Sequence, residues 1–409
     1  MILHPRATGH LRMKKTRLAV VVSHPIQHFV PFYRAIAADP AFDLCVFYCS
    51  KIGLESYFDQ QMNSEIKWGM DMLGGYQSKF LDEASAIKDT GFFAVNNPSM
   101  QRALSDFGAE AALLFGYGSI SQLRALAFCR WKGVPALLMG DSELKRRRPL
   151  AKRLVKEPVV RLLLEQFAAF LTVGRANEEY YESYGVTSAR MFHAPFTIDE
   201  TLYRRARVER EDRRAALRKR LGIAPEAFVV ATIGKVTASK RTADIVEAAK
   251  LLRSQRGAAS PIQFLIAGDG AERKRLQATA TELDLPIHFL GFVNVDGLPD
   301  VYCAADVVAH PSEKDAHPLV LSEAACIGLP IIVSDRVGAI GAADIVQPGR
   351  NGLVFPCGDV GAFTEHLLRL RDDPTLFARM ARGSLDIFET QCLKQSLDGL
   401  KRAVEFARR

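Results

Sequence analysis

Short, largely apolar runs return along the whole chain. They fall at 17–22, 44–48, 111–115, 135–139 and 170–173, then at 228–233, 262–267, 287–290, 306–309, 330–333 and 352–355. Each has the length of a buried strand and is too short for a core helix. Between them lie stretches with apolar residues at helical spacing, such as Phe32, Tyr33, Ile36 and Ala37. Strand–helix alternation confines a chain to α/β architectures built on parallel sheets. The pattern breaks once, near Pro195, where 196–199 reads as a link and 204–220 as a highly charged helical segment. It then begins afresh, so two doubly wound, Rossmann-like halves are expected. Their limits are set at 1–195 and 196–390, with an amphipathic helix in 391–409. Residues 51–97 hold little period and several glycines, and read as loops over one face, a common location for substrate selection.

A length of 409 residues allows each half a full core. The net charge of +8 fits an anionic ligand or a negatively charged membrane surface. Nucleic acid is not expected, because no zinc spacing or nucleic-acid motif accompanies the charge. Cysteines at 45, 49, 129, 303, 326, 357 and 392 form no CxxC pair, which points to a reducing compartment, the cytoplasm. No apolar run reaches transmembrane length. The stretch 13–22 has the look of a signal peptide, but its apolar part is short and meets His24-Pro25. It reads better as a first buried strand, with Met13 a candidate start and no evident role for 1–12. The segment 145–156 holds seven cations interleaved with leucine and valine. It is either a solvated helix face or an amphipathic helix meeting anionic lipid or a lipid-diphosphate acceptor.

The functional reading centres on Ala309-His310-Pro311-Ser312-Glu313-Lys314-Asp315-Ala316-His317-Pro318-Leu319-Val320-Leu321-Ser322-Glu323-Ala324-Ala325. A strand precedes it, and an Ala-rich helix ends it at Gly328. A polar loop thus leaves a strand and enters a helix N-terminus, whose unpaired amides favour an anion. Seven residues separate Asp315 from Glu323. By themselves the two carboxylates read more simply, Asp315 as a helix cap and Glu323 as a surface charge. The stretch resembles the motif of the retaining glycosyltransferases of family four, which have the GT-B fold. That family carries Pro-Ser, a Glu, seven residues, and a second Glu followed by Ala. Asp315 stands where the family has its first Glu, and His317-Pro318 where it has Phe-Gly. The resemblance implies that Glu323 binds the ribose hydroxyls of a nucleotide and that Asp315 contacts the donor sugar. Gly328-Leu329-Pro330-Ile331-Ile332-Val333 matches the family's next strand.

Further elements resemble the same family from Gly234 to about Phe377. Ile233-Gly234-Lys235 ends a strand, and Lys240-Arg241 opens a helix five residues on. Two cations flanking a glycine turn are either a solvated turn or a diphosphate site, where they would neutralise the leaving group's charge. Lys235 stands in the family's Arg position and keeps the charge without bidentate contact; Arg241 stands in its Gly position. Gly268-Asp269-Gly270 is either an ordinary turn or the family's Gly-Asp-Gly-Pro element. Phe292-Val293 matches the family segment whose backbone lies against the nucleotide base, while the Phe292 side chain reads more simply as a core aromatic. Donor contacts are therefore expected from Gly234, Lys235, Lys240, Gly268, Asp269, Gly270, Phe292, Val293, Asp315, His317, Leu319, Val320 and Glu323. In the first half, His24, Gln27 and His28 follow the first strand, where the family often has a Gly-Gly loop. They either contact donor or acceptor or cap the next helix. The family's His-Asp is here Gly140-Asp141, which leaves Asp141 as the polar cleft contact.

The resemblance implies a GT-B architecture, two Rossmann-like domains facing across a cleft, with the last helix crossing back to the first. It implies retaining transfer of a sugar from a nucleotide-diphosphate sugar to a glycan or lipid-linked acceptor, in bacterial cell-surface polysaccharide or glycolipid synthesis. Lys235, Lys240, Asp315 and Glu323 would carry the chemistry, with no cofactor and no metal. The protein would be cytoplasmic, peripheral on the inner membrane face. Two alternatives are a nucleotide-sugar epimerase of the same fold and a non-catalytic GT-B partner subunit. Absence of a Gly-Xaa-Gly-Xaa-Xaa-Gly fingerprint and of a Walker loop argues against a dehydrogenase or an NTPase.

Overall fold

The computed structural model describes residues 15–54, 57–59, 64–66, 69–144, 150–256 and 262–409. Its strands are β1 Thr16–Val22, β2 Phe42–Tyr48, β3 Tyr57–Asp59, β4 Ser64–Ile66, β5 Ser78–Phe80, β6 Ala111–Phe115, β7 Ala136–Met139, β8 Ala169–Thr172 and β9 Met191–His193. The second half adds β10 Phe228–Ile233, β11 Ile262–Ala267, β12 Ile287–Gly291, β13 Val307–His310, β14 Ile331–Ser334 and β15 Gly352–Phe355. Among the described residues they form a first parallel sheet in the order β5-β2-β1-β6-β7-β8-β9 and a second in the order β12-β11-β10-β13-β14-β15. Strands β3 and β4 make a separate antiparallel ribbon. Both large sheets are doubly wound, as the alternation requires.

The apolar runs are continuous because each central strand is covered on both faces. Along β1, Leu18, Val20 and Val22 enter one core while Ala19 and Val21 enter the other. Along β10, Val229, Ala231 and Ile233 face one core and Val230 the other. Strand order reverses at β1/β6 and at β10/β13. Those switch points open crevices beyond the C-terminal strand ends.

Some local readings change. The charged segment 204–220 is helical, as read, and is divided between two helices, Glu200–Val208 and Arg210–Leu221, meeting at Glu209. Asp199 caps the first through Leu202 N at 3.3 Å. Strands β5 and β9 are three residues each and only part-buried, so neither shows as an apolar run. The terminal helix Leu393–Ala407 lies against the first sheet, with Leu400, Ala403 and Val404 in its core. Ser396 Oγ donates to Pro195 O at 2.6 Å. Of the basic segment, 145–149 lie outside the described residues, and 150–156 begin the helix Leu150–Leu164. Among the described residues no helix is long and apolar enough to cross a membrane.

Candidate functional site

The loops after β10 and β13 stand side by side at the second switch point. Glu313 N donates to Ser239 O at 2.9 Å, and Ser312 Oγ donates to the same carbonyl at 3.2 Å. This tie brings Lys240 to Asp315, whose Oδ2 accepts from Lys240 Nζ. The same oxygen lies 2.9 Å from His310 Nε2. Burial pushes the Asp315 carboxyl up, but the His310 hydrogen bond and the His310 and Lys240 charges more than offset it. Asp315 is therefore held below the usual carboxylate range and is ionised at neutral pH. Gly234, Lys235, Lys240, Thr242 and His310 line a small recess beside this cluster. Arg241 sits in the left-handed region at φ 53°, where the related pattern has glycine. Its guanidinium bonds Asp244 at 2.8 and 2.9 Å, which fixes the turn before helix Thr242–Arg256.

Glu323 lies on helix Leu319–Ile327, apart from that cluster. Its Oε2 accepts from the fully buried Tyr302 hydroxyl. Burial raises its carboxyl above the ordinary value, opposed by the Tyr302 hydrogen bond. Leu319 and Val320 form the first turn of this helix, and Leu319 packs against cores of both domains. Phe292 and Val293 follow β12 directly. Gly268 and Gly270 serve loop packing. A Cβ would stand 1.8 Å from Gly234 O at Gly268 and 2.4 Å from Val236 O at Gly270. Asp269 closes the same turn, accepting from Gly270 N at 2.8 Å and Arg273 Nη1 at 2.7 Å. Both glycines thus bring the 268–270 loop against the 234–236 loop.

Across the crevice, Tyr117, Asp141, Ser142, Glu143 and Tyr180 of the first domain face Lys314 and Asp315 around a cleft of 530 Å³. Asp141, at the end of β7, thus shares one cavity with Asp315. His24 is part-buried, 2.9 Å from Ser23 Oγ, and burial lowers its pKa. Gln27 opens a 3₁₀ turn, 27–29. His28 packs on Phe29 and Phe196 at 4.1 and 5.6 Å between ring centres. His317 is placed in the same interdomain aromatic group, edge-on to Phe196 at 5.5 Å. Burial, with the neighbouring His317, lowers His28 to about 4, and burial with His193 lowers His317 to about 4.

The structure thus joins Lys240, Asp315, Lys235 and Asp141 around adjoining cavities, and sets Glu323 one helix away. Sequence reading gave no role to His310, although it ends the strand five residues before Asp315. Tyr302 and the Tyr117–Tyr180 hydroxyl pair, 2.5 Å apart, left no local signal at all.

Residues 213–384 match the family described as "Glycosyl transferases group 1". The chain is 30% identical over 176 residues to the alpha-D-kanosaminyltransferase of Streptomyces kanamyceticus, covering 42% of this chain and 44% of that enzyme. It is 32% identical over 195 residues to the D-inositol 3-phosphate glycosyltransferase of Saccharomonospora viridis, 46% of this chain and 44% of that one. The chain therefore spans less than half the length of these two relatives. The structure of Anabaena HepE in complex with UDP superimposes with a TM-score of 0.70 at 16% identity, over 95% of this chain and 99% of that one. The two-domain fold is that of the GT-B glycosyltransferases, and the second domain carries the sequence pattern of their group 1.

Proposed function

We propose that the protein is a retaining, family-four glycosyltransferase that moves a sugar from a nucleotide-diphosphate sugar to a hydroxyl of a glycan or lipid-linked acceptor. The observation that carries this reading is ionised Asp315, held by Lys240 and His310 opposite Asp141 across the cleft. In this scheme residues 196–390 hold the donor, 1–195 the acceptor, and 391–409 tie the two. Lys235, Lys240 and the first-turn amides of helix Leu319–Ile327 meet the diphosphate. Glu323 holds the ribose and Asp315 orients the sugar. The bond from C1 to the diphosphate oxygen breaks as the acceptor oxygen bonds C1 on the same face. The acceptor proton passes to the departing phosphate oxygen. Two lysines meet the leaving charge, so neither metal nor cofactor enters the scheme. The related proteins support a nucleotide donor, and the HepE complex makes UDP-sugars the first to test.

A thermal-shift screen across UDP-, GDP- and ADP-sugars, followed by product analysis, tests the reading. A ligand that binds only the folded state raises the melting temperature. Stabilisation by none of the three, an epimerised donor, or binding without transfer would each overturn it.

The carboxylates divide by kinetic signature. Glu323 contacts ribose before and during reaction, so Glu323→Gln weakens donor binding by about 1–3 kcal/mol, the range for a hydrogen bond to a charged group. Asp315 touches the sugar where charge develops, so Asp315→Asn mainly lowers the maximal rate. Asp is one methylene shorter than the family's Glu, and Asp315→Glu is expected to reduce activity on the native donor. Steady-state kinetics with one identified donor checks all three. Unchanged donor affinity in Glu323→Gln removes the ribose assignment.

The setting we propose is cytoplasmic and peripheral to the membrane, in cell-surface polysaccharide or glycolipid synthesis. Helix Leu150–Leu164 exposes Val159 and Leu162, and seven cations lie in 145–156 of the sequence. Binding to vesicles containing anionic lipid is expected to weaken as salt rises, because salt screens surface charge. Charge reversal at Arg146, Arg147 and Arg148 is expected to abolish it. Equal partitioning of both proteins onto vesicles would leave a solvated helix face.

A further inference from the structure

The two domains also meet away from the cleft, at the first turn of helix Arg175–Ser183. This helix follows β8 in the first domain and starts after Gly174, which offers no side chain to cap it. An amide there is satisfied from the other domain: Asp344 Oδ1 accepts from Arg175 N at 2.9 Å. Asp344 is only 1% exposed. Its loop is closed on itself, with Asp344 N donating to Gly341 O at 3.1 Å. A buried carboxyl oxygen against a helix-start amide gains a capping hydrogen bond at the positive end of the helix.

The fit leaves no room on the first-domain side. A Cβ on Gly174 would stand 2.2 Å from Asp344 Oδ1. The Gly174 backbone is extended, at φ 168°, so glycine is required by space and not by its dihedral angles. The same second-domain loop approaches again at Gly338, where a Cβ would lie 2.5 Å from Glu143 Oε2. Helix Arg175–Ser183 also builds the cleft. Tyr180 lines it, and Asn177 Nδ2 holds the neighbouring Ser142 carbonyl at 2.9 Å. Whatever fixes this helix against the second domain therefore fixes the first-domain wall against Asp315.

We propose that Asp344 is a positioning residue that latches the two domains in the arrangement seen here, by capping helix Arg175–Ser183 across the domain boundary. Only the kinetic consequence of the latch rests on the glycosyl-transfer reading. The domain arrangement itself can be read without substrate.

The test is small-angle X-ray scattering of the full chain as wild type, Asp344→Ala, Gly174→Ala and the double variant. Losing the capping hydrogen bond is expected to lower the ratio of this arrangement to more open ones by roughly tenfold. Both single variants then show a larger radius of gyration. Asp344→Asn keeps an acceptor oxygen and stays nearer wild type. The double variant is no more open than Asp344→Ala alone, because the added methyl no longer meets a carboxylate. Affinity for UDP stays unchanged, since the proposed diphosphate and ribose contacts, Lys235, Lys240 and Glu323, lie in the second domain, while acceptor KM rises. Gly174→Ala removes no polar group, so it carries the test should Asp344→Ala fail to fold. Scattering of Gly174→Ala that superimposes on wild type, or additive opening in the double variant, would overturn the latch. Opening with no glycosyl transfer by any protein would overturn the proposed function and leave the latch standing.

Discussion

Lys240→Ala is expected to lower turnover by roughly ten- to a thousandfold, the range for losing one preorganised electrostatic stabiliser. Two effects combine in this variant. The first is loss of a cation beside the recess that Gly234, Lys235 and Thr242 also line, where the leaving diphosphate is proposed to sit. The second acts through Asp315, whose Oδ2 is shared between Lys240 and His310. Burial already pushes that carboxyl up, and the Lys240 charge is one of the influences that hold it down. Without Lys240 the carboxylate becomes easier to protonate, so the acid limb of the pH–rate profile moves to higher pH. Lys235→Ala is expected to lower turnover within the same range, with a smaller shift of the acid limb. Lys240→Arg keeps the charge and is expected to recover part of the rate. Single-turnover measurements with an identified donor, taken across pH, separate the two effects. Full activity in both alanine variants would remove the diphosphate assignment.

The same pair of residues marks where sequence ceases to be informative. The parallel sheets are legible because burial on both faces makes strands such as β1 and β10 continuously apolar. The second domain's switch-point loop is legible because a glycine and a cation, Gly234 and Lys235, follow β10 directly. Lys240 and Asp315 each carry a local signal, yet their bond joins residues 75 apart, and no spacing rule brings them together. Tyr302, the partner of Glu323, is an ordinary core aromatic by pattern and gains its role only from helix packing. Gly268 and Gly270 show the converse. Their sequence is equally that of a ligand cradle and of a tight contact, and only the nearby Gly234 and Val236 carbonyls reveal the contact. The break at Glu209 was hidden because charged residues with good helix propensity run through it. Asp344 had no motif at all, since its partner is a backbone amide in the other domain.

Acidification from pH 7.5 to 5 is expected to destabilise the protein, and replacing His317 is expected to remove that ring's share of the loss. His28 of the first domain and His317 of the second pack about Phe196, and burial holds both rings at about 4, below the ordinary 6.5. The groups facing them are known. His28 feels His317, while His317 feels His193 and, in the opposite sense, Asp315. His193 is itself lowered by burial, with Gln391 and Glu178 raising it and Arg402 lowering it further. A histidine whose folded pKa lies below its unfolded value binds fewer protons when folded. Its stabilising contribution is complete above the unfolded pKa and is lost as pH falls below 6.5, down towards 4. At pH 5 each ring accounts for on the order of 2 kcal/mol of lost stability, and the two are not strictly additive because they repel each other once charged. Asp315 also loses stabilising charge on acidification, but its lowered pKa places that loss below the usual carboxylate range, outside the window measured. His317→Gln keeps a polar side chain that does not titrate. Urea unfolding midpoints of wild type and His317→Gln at pH 7.5, 6.5, 5.8 and 5 isolate the ring's share. Equal loss of stability in the two proteins between pH 6.5 and 5 would show that His317 takes up its proton without opposing the fold. A smaller loss in the variant assigns the acid sensitivity to the histidines packed between the domains.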